Sequence, residues 1–200
     1  MQRLSTWTLA TVTALGLAVF GIGQNIMAEE AKLDVGATAP EFSVKDDAGK
    51  DWKSADHFGK KIVVVYFYPA DLTGGCTKQA CGFRDDLSKL QDNGVEVVGV
   101  SGDTVENHQI FKKDQKLNFA LLADVEGEVA TKFGVPVEIA DKVAKVKTSD
   151  GKEISLTRKA TAKRWTFVVG LDGKIAYKNT MVAAADDSKA VAAAIEKLKK

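Results

Sequence analysis

Two cysteines five residues apart, Cys76 and Cys81, are the residues of this sequence whose type and spacing could support covalent chemistry. Cys76 follows Gly74 and Gly75 at the predicted start of a helix, where unpaired backbone N–H groups and the helix dipole favour an anion. Both effects favour the thiolate, the nucleophilic form of cysteine. The glycines allow a small substrate to approach the backbone closely, and the Thr73 hydroxyl can point into the same space.

The spacing of the two cysteines limits what they can form while the helix is intact. Residues five apart in an α-helix have Cα atoms about 8.6 Å apart, whereas a disulfide needs roughly 4.4–6.8 Å. A bond between Cys76 and Cys81 therefore requires the first helical turns to unwind. A redox cycle could use that change. A structural disulfide and a pair of inert, buried thiols remain open alternatives at this point.

The two histidines do not extend the cysteine pair into a metal site. His57 and His108 lie in polar stretches, and we expect both to be exposed to solvent. A structural zinc site uses four ligands, whereas this pair offers two sulfurs and no neighbouring histidine. The sequence therefore predicts no metal here.

The amino-terminal 28 residues have the pattern of an export signal. Arg3 provides a positive start, and the apolar run Leu9–Gly23 is shorter than the ~20 residues that a membrane-spanning helix needs. Cleavage is predicted after Ala28 or after Gly23, and an uncleaved anchor is the alternative. We expect an exported protein, periplasmic or secreted, whose folded domain spans residues 33–200.

The composition of the chain fits one globular domain. Its 200 residues are 45% hydrophobic and 28% charged, which is enough apolar sequence for a core. The formal net charge is +1 and becomes zero without the predicted signal. This balance gives no electrostatic reason to bind nucleic acid, or to stay on a membrane surface once the signal is removed.

Hydrophobic periodicity predicts strands that alternate with helices in the first half of the domain and hairpins in the second half. The run Ile62–Tyr68, entirely β-branched or aromatic, predicts a central strand buried on both faces. The other predicted strands are Glu41–Lys45, Val95–Val100, Phe119–Leu122, Trp165–Gly170 and Lys174–Asn179, with a hairpin over 143–158. The predicted helices are Cys76–Leu90, Val105–Lys116, Glu126–Phe133 and Ser188–Lys199.

This order predicts an α/β fold with a central mixed sheet, helices on both faces and an added β-hairpin. Right-handed crossovers make the strands beginning at Ile62 and Val95 parallel neighbours, joined by the Cys76 helix. That helix then starts at the carboxyl end of a central strand, where open α/β sheets place their sites.

The residues around Cys76 resemble a known active-site signature. The pattern Pro69-x-x-x-Thr73-x-x-Cys76 is similar to that of the peroxiredoxins. The longer stretch 66–85 resembles the peroxiredoxin Q subfamily, also called bacterioferritin comigratory protein. That subfamily places its resolving cysteine five residues after the peroxidatic one, which is the position of Cys81 here.

Further segments extend the resemblance over residues 33–198. Gly36–Phe42 resembles the family's opening strand, and Arg164–Phe167, followed by Asp172–Lys174, resembles the segment that brings its active-site arginine. The resemblance implies a thioredoxin-like fold, a monomer, and reduction of hydrogen peroxide and organic hydroperoxides in antioxidant defence. It implies no metal, haem or flavin cofactor, and a thioredoxin-like dithiol as reductant.

The resemblance also implies a role for each site residue. The Cys76 thiolate attacks the peroxide and becomes a sulfenic acid, and Cys81 resolves it as an intramolecular disulfide. Thr73 holds the peroxide oxygens, Arg164 stabilises the thiolate and the charge of the breaking O–O bond, and Pro69 shields the sulfur from water.

Two features depart from the family pattern. Gly74 stands where the family often has proline, and the hairpin over 143–158 is longer than in compact members, so that it could shape an edge of the site. It also brings Arg158 close to Arg164 in sequence, and we prefer Arg164 because it precedes the Thr-Phe strand.

Three rival functions fit the residues less well. An exported thiol–disulfide oxidoreductase usually separates its cysteines by two residues, whereas four separate them here. The others are a binding module with a structural disulfide and a metal carrier. The preferred peroxide and the identity of the reductant do not follow from the sequence.

Overall fold

The computed structural model describes residues 33–91 and 94–198. The predicted export signal, residues 1–28, and both of its cleavage positions lie outside these described residues. None of the helices in the described part of the chain is both long enough and apolar enough to cross a membrane.

The described elements follow the predicted order closely, with one additional strand. The strands are β1 Ser43–Asp46, β2 Asp51–Lys53, β3 Ile62–Phe67, β4 Val95–Ser101, β5 Ala120–Ala123, β6 Val137–Lys147, β7 Glu153–Ala162, β8 Trp165–Val169 and β9 Ile175–Asn179. The helices are α1 Gly74–Gln91, α2 Val105–Gln115, α3 Glu128–Lys132 and α4 Asp187–Leu198, with a 3₁₀ turn at Ser54–Asp56. The short strand β2 was not predicted.

Seven strands form one mixed sheet in the order β2-β1-β5-β4-β3-β8-β9. The prediction of parallel neighbours is confirmed, because β3 pairs with β4 in register from Ile62 opposite Val95 to Phe67 opposite Val100. Helix α1 is the crossover between these two strands. Strand β8 pairs antiparallel with the other edge of β3, so that the segment preceding β8 ends beside the loop that leads into α1.

The alternation of side chains along β3 divides the core into two layers. One face of the strand packs with α1, α2 and α4, and the opposite face packs with α3 and the amino-terminal segment of the domain. The first face carries Val64, Tyr66 and Tyr68, and the second carries Val63, Val65 and Phe67. The predictions that this strand is buried on both faces and that helices flank both faces of the sheet are confirmed.

Strands β6 and β7 form a separate two-stranded sheet. The hairpin is longer than the predicted 143–158, and its register shifts between Ile139 and Lys142. Val146 and Leu156 anchor it in the core layer of α1, α2 and α4. At its base β7 passes over Gly102, where a Cβ would lie 2.1 Å from the carbonyl oxygen of Ala160. Glycine at 102 therefore allows the hairpin to dock at the carboxyl end of β4.

Candidate active site

The loop that follows β3 places Cys76 in the first turn of α1. The helix begins at Gly74, and the backbone N–H of Thr77 donates to the carbonyl oxygen of Thr73 at 2.8 Å. The Thr73 hydroxyl donates to the carbonyl oxygen of Ala70 at 3.1 Å. In this structure the hydroxyl therefore supports its own loop, and the contact of Thr73 with a peroxide stays a prediction.

Arg164 is the charged residue that lies against the Cys76 sulfur. Its Nη2 donates to Cys76 Sγ at 3.2 Å, and the pairing of β8 with β3 brings these two residues together. A Cβ at Gly75 would lie 3.3 Å from Arg164 Nη2, so that glycine at this position leaves room for the guanidinium. Cys76 is only 1% exposed, so that almost none of its surface is open to solvent.

The other candidate arginine, Arg158, lies in β7 and makes a local contact. Its Nε donates to Thr161 Oγ1 at 3.1 Å, three residues further along the hairpin. The structure thus places Arg164 at the sulfur and Arg158 in the hairpin, in keeping with the preference for Arg164.

Cys81 lies on the same intact helix and is held apart from Cys76. Both cysteines are free thiols, and Cys81 is partly exposed. The Cys81 thiol donates to Gln115 Oε1 at 3.4 Å, and Arg84 Nη1 donates to the carbonyl oxygen of Gln115 at 2.6 Å. Burial raises the pKa of Cys81 above its usual value, against the lowering effect of the Arg84 charge. The reduced helix therefore holds Cys81 as a protonated thiol.

A sequence model described as the AhpC/TSA family matches residues 35–178. The chain belongs to the AhpC/TSA family. The match includes Pro69, Thr73, Cys76, Cys81 and Arg164, so that the whole candidate site lies within the family domain.

Curated relatives include chloroplastic peroxiredoxin Q from Sedum lineare, which is 50% identical over 109 residues, covering 54% of this chain and 58% of the relative. A protein described as a putative peroxiredoxin bcp from Coxiella burnetii is 47% identical over 106 residues, covering 53% of this chain and 70% of the relative. The chain spans about half the length of most of the curated relatives that it matches.

Solved structures agree with this AhpC/TSA assignment. Peroxidoxin BcpB from Mycobacterium tuberculosis superposes with a TM-score of 0.69 at 27% identity, covering 84% of this chain and 99% of that one. The bacterioferritin comigratory protein of Xanthomonas campestris gives a TM-score of 0.67 at 26% identity, covering 84% of this chain and 100% of that one. The predicted thioredoxin-like fold and the resemblance to peroxiredoxin Q are confirmed.

The active-site loop of this AhpC/TSA chain rests on a buried histidine that the sequence interpretation misplaced. His108 is 0% exposed, so the expectation that it is exposed is wrong. Its Nδ1–H donates to Asp71 Oδ2 at 2.8 Å, and Tyr68 donates its hydroxyl to Asp71 Oδ1 at 2.7 Å. Burial lowers the pKa of His108, but the Asp71 and Asp103 carboxylates and a hydrogen bond to the Leu122 backbone together raise it above the usual value.

A second buried carboxylate continues this support beneath the loop. Asp103 Oδ2 accepts hydrogen bonds from the backbone N–H of Asp71 at 2.9 Å and from the Ser101 hydroxyl at 2.8 Å. Asn107 Nδ2 donates to Asp103 Oδ1 at 3.1 Å. Burial, together with the nearby Asp71 charge, raises the pKa of Asp103. The loop is therefore fixed from below by paired polar groups rather than by apolar packing alone.

The expectation of exposure is also wrong for His57, which is partly buried away from the site. Its ring stacks on Trp52 with the centroids 4.3 Å apart, and its Nδ1 lies 2.9 Å from Glu96 Oε2. Both contacts are structural ones at the other end of the sheet.

Pro69 and Arg164 line a cavity of about 350 Å³, and Arg164 also contacts the Cys76 sulfur. The rest of its lining comes from the base of the β6–β7 hairpin, namely Pro136, Val137, Glu138, Thr161, Ala162 and Lys163. The base of the hairpin therefore lies beside Pro69 and Arg164. A larger cleft of about 680 Å³ lies at the amino ends of β3 and β4, at the opposite end of these strands from Cys76. Cavity volume alone therefore does not identify the reaction site.

Proposed function

We propose that this chain is a thiol peroxidase that reduces hydrogen peroxide and organic hydroperoxides. The observation that carries the proposal is the contact between Arg164 and the Cys76 sulfur at the first turn of α1. A cation beside a sulfur at a helix amino terminus stabilises the thiolate. It also provides a donor for the negative charge that develops on the leaving oxygen. The related Xanthomonas campestris protein is described as having alkyl peroxide reduction activity.

The first step oxidises Cys76 and reduces the peroxide. The thiolate attacks one peroxide oxygen, the S–O bond forms as the O–O bond breaks, and the other oxygen leaves with a proton as water or an alcohol. Cys76 then carries a sulfenic acid. Pro69 limits the access of water to the sulfur, and Thr73 can turn its hydroxyl from Ala70 towards the bound peroxide.

The second step is resolution by Cys81. Its thiol attacks the sulfenic sulfur, water leaves, and the Cys76–Cys81 disulfide forms. Because the intact helix separates the Cα atoms of this pair by about 8.6 Å, the first turns of α1 must unwind and Cys81 must leave Gln115. This requirement favours a catalytic disulfide over a static one, since the reduced chain forms a regular helix through both cysteines.

The cycle closes when an external dithiol reduces the disulfide by thiol–disulfide exchange. A thioredoxin-like donor is the chemical class that fits a two-electron exchange at a locally unfolded segment. If residues 1–28 direct export, this donor must act in an oxidising compartment and must itself be kept reduced there. We propose that the enzyme acts as a monomer.

Loss of free thiols on addition of peroxide tests the proposal. The wild-type protein should lose two thiols per peroxide, Cys81→Ser should lose one and accumulate the sulfenic acid, and Cys76→Ser should lose none. Reduction of insulin by a dithiol provides the comparison with the rival thiol–disulfide oxidoreductase. Unchanged thiols with peroxide, together with rapid insulin reduction, would refute the peroxidase assignment.

A further inference from the structure

A chain of hydrogen bonds runs from a buried carboxylate on α4 to the Cys76 sulfur. Asp187 is 1% exposed, and its Oδ2 accepts from Gln79 Nε2 at 2.7 Å and from Thr166 Oγ1 at 2.7 Å. Arg164 Nη1 donates to Gln79 Oε1, and Arg164 Nη2 donates to Cys76 Sγ at 3.2 Å. Asp187 thus reaches the sulfur through two intervening side chains.

The orientation of the Gln79 amide decides whether Arg164 is held. A guanidinium only donates hydrogen bonds, an ionised carboxylate only accepts them, and a glutamine amide has one end of each kind. While Asp187 is ionised, the amide NH2 must face it, and the carbonyl oxygen must face Arg164. A neutral side chain at position 187 can pair with either end of the Gln79 amide. In the reversed orientation, the amide N–H groups would face the guanidinium.

We propose that Asp187 is a positioning residue that, by orienting Gln79, holds Arg164 against the sulfur of Cys76. The inference rests on the proposed peroxidase function, since it assigns a role in that reaction. The hydrogen bonds of Asp187 go to Gln79 and Thr166, not to the sulfur itself. The ordinary alternative is that Asp187, as the first residue of α4, serves only to stabilise that helix through its dipole.

Among the charged groups packed around Asp187, Arg164 is the cation, and its charge favours the ionised form of the carboxylate. The other groups within reach are the hydroxyls of Thr166, Tyr66 and Tyr177. Burial raises the pKa of both tyrosines, and the charge of Asp187 raises it further. These hydroxyls therefore stay neutral near pH 7. Asp187 Oδ1 has no hydrogen-bond partner within the described part of the chain, so Oδ2 accepts both of the hydrogen bonds that Asp187 receives from Gln79 and Thr166.

The charge of Asp187 should be lost at a higher pH than for an exposed aspartate. Burial raises its pKa, against the lowering effects of the hydrogen bonds from Thr166 and Gln79 and of the Arg164 charge. Protonation turns the carboxylate into a group that can also donate, and Gln79 is then free to reverse. The support of Arg164 at Cys76 should therefore weaken as the pH falls through this pKa.

The test compares Asp187→Asn with Asp186→Asn in a chain that also carries Cys81→Ser, which leaves Cys76 as the sole thiol. Asp186 is the exposed neighbour of Asp187 and serves as the matched control. The rate of Cys76 oxidation by hydrogen peroxide is measured from pH 4.5 to 8, with iodoacetamide alkylation as a peroxide-independent measure of thiol reactivity. Thermal unfolding of each variant is recorded in parallel.

We expect Asp187→Asn to slow oxidation about tenfold at pH 7, within the range for coupled members of one hydrogen-bond network. Asp186→Asn should react like the parent chain. The ratio of the parent rate to the Asp187→Asn rate should fall towards one at acid pH, because a protonated Asp187 and an asparagine leave Gln79 equally free. The melting temperature should stay equal or rise, since the variant removes a buried charge.

A compensating variant gives an independent readout. Gln79→Glu combined with Asp187→Asn provides a carboxylate that accepts from Arg164 and from the new amide, so most of the lost rate should return. Gln79→Glu alone places a second carboxylate beside Asp187, and this single variant should react more slowly than the double variant. A lowered melting temperature with an unchanged rate in Asp187→Asn, or a double variant that reacts as slowly as Asp187→Asn, would overturn the inference. A parent thiol that is alkylated but not oxidised would instead refute the peroxidase function.

Discussion

Replacing Gln115 by alanine should accelerate formation of the Cys76–Cys81 disulfide. Gln115 Oε1 accepts the hydrogen bond from the Cys81 thiol in the reduced helix. In the proposed mechanism, Cys81 must give up this bond before it can reach the sulfenic acid at Cys76. Removing the acceptor therefore destabilises the helical state and leaves the unwound state unchanged, since the bond is absent there.

The expected magnitude follows from the kind of hydrogen bond that is lost. A neutral hydrogen bond contributes about 0.5–1.5 kcal/mol net, and a thiol is a weak donor, so we take the lower part, about 0.5–1 kcal/mol. If unwinding is a rapid equilibrium before resolution, loss of this hydrogen bond shifts the unwinding equilibrium about two- to fivefold towards the unwound state. The first oxidation of Cys76 should not change, because Gln115 does not contact that sulfur or Arg164.

The assay follows both thiols after one equivalent of peroxide is added to the reduced protein. Samples are quenched with an alkylating reagent, and mass spectrometry separates the sulfenic acid, the disulfide and the sulfinic acid at Cys76. Gln115→Ala should form disulfide two- to fivefold faster, and should form less sulfinic acid in excess peroxide. Lys113→Ala is the control, because Lys113 is exposed and lies on α2, the helix that carries Gln115. Resolution of Gln115→Ala at the wild-type rate or slower would refute the reasoning.

Three other substitutions test the site. Gly75→Ala places a Cβ 3.3 Å from Arg164 Nη2 and should slow peroxide reduction about two- to tenfold by displacing the guanidinium. Gly74→Ala is the control, because a Cβ there meets no atom within 4 Å, and it should keep the wild-type rate. Equal rates for the two variants would contradict this prediction. Arg164→Lys keeps the charge but loses the two-point hydrogen bonding, and we expect a rate about tenfold lower with unchanged thermal stability; a wild-type rate would mean that charge alone suffices. His108→Ala leaves the Asp71 carboxylate buried without its partner, and urea denaturation at pH 6 should show about 3–5 kcal/mol less stability. Because the folded pKa of His108 is raised, its charge-dependent stabilisation is complete below about pH 6.5 and is lost as the pH rises through the folded pKa. The difference between wild type and His108→Ala should therefore shrink above neutral pH, and a constant difference would argue against a charged pair.

The sequence was sufficient to predict features that depend only on residues close together along the chain. The unbroken β-branched and aromatic run from Ile62 predicted a strand buried on both faces, and the glycines before Cys76 predicted a helix start there. Both follow from local physics, since side-chain alternation and backbone freedom are properties of short segments. The hairpin was underestimated because its base carries an exposed apolar residue, Ile139, and a register shift between Ile139 and Lys142 interrupts the alternation.

The residues that the sequence did not reveal meet only through the tertiary fold. Gln79 and Asp187 are 108 positions apart, and Asp71 and His108 are 37 apart. No periodicity links such pairs, and a histidine in a polar stretch is more often exposed than buried. For Gln79 a local signal existed, since a residue three positions after Cys76 on a helix lies on the same face.

The first turns of α1 must satisfy two opposed requirements, and the distribution of contacts along the helix reconciles them. In the reduced state they present Cys76 to Arg164, and in the proposed resolution step they must unwind. Beyond Cys81, Phe83 is fully buried and stacks on Tyr66 with the ring centroids 4.9 Å apart, so that unwinding past this point would expose a large aromatic side chain. Gly82 stands immediately before that anchor, and a glycine within a helix costs about 1 kcal/mol relative to alanine. The sequence thus weakens the helix just before Phe83, and unwinding that stops there keeps Phe83 in the core.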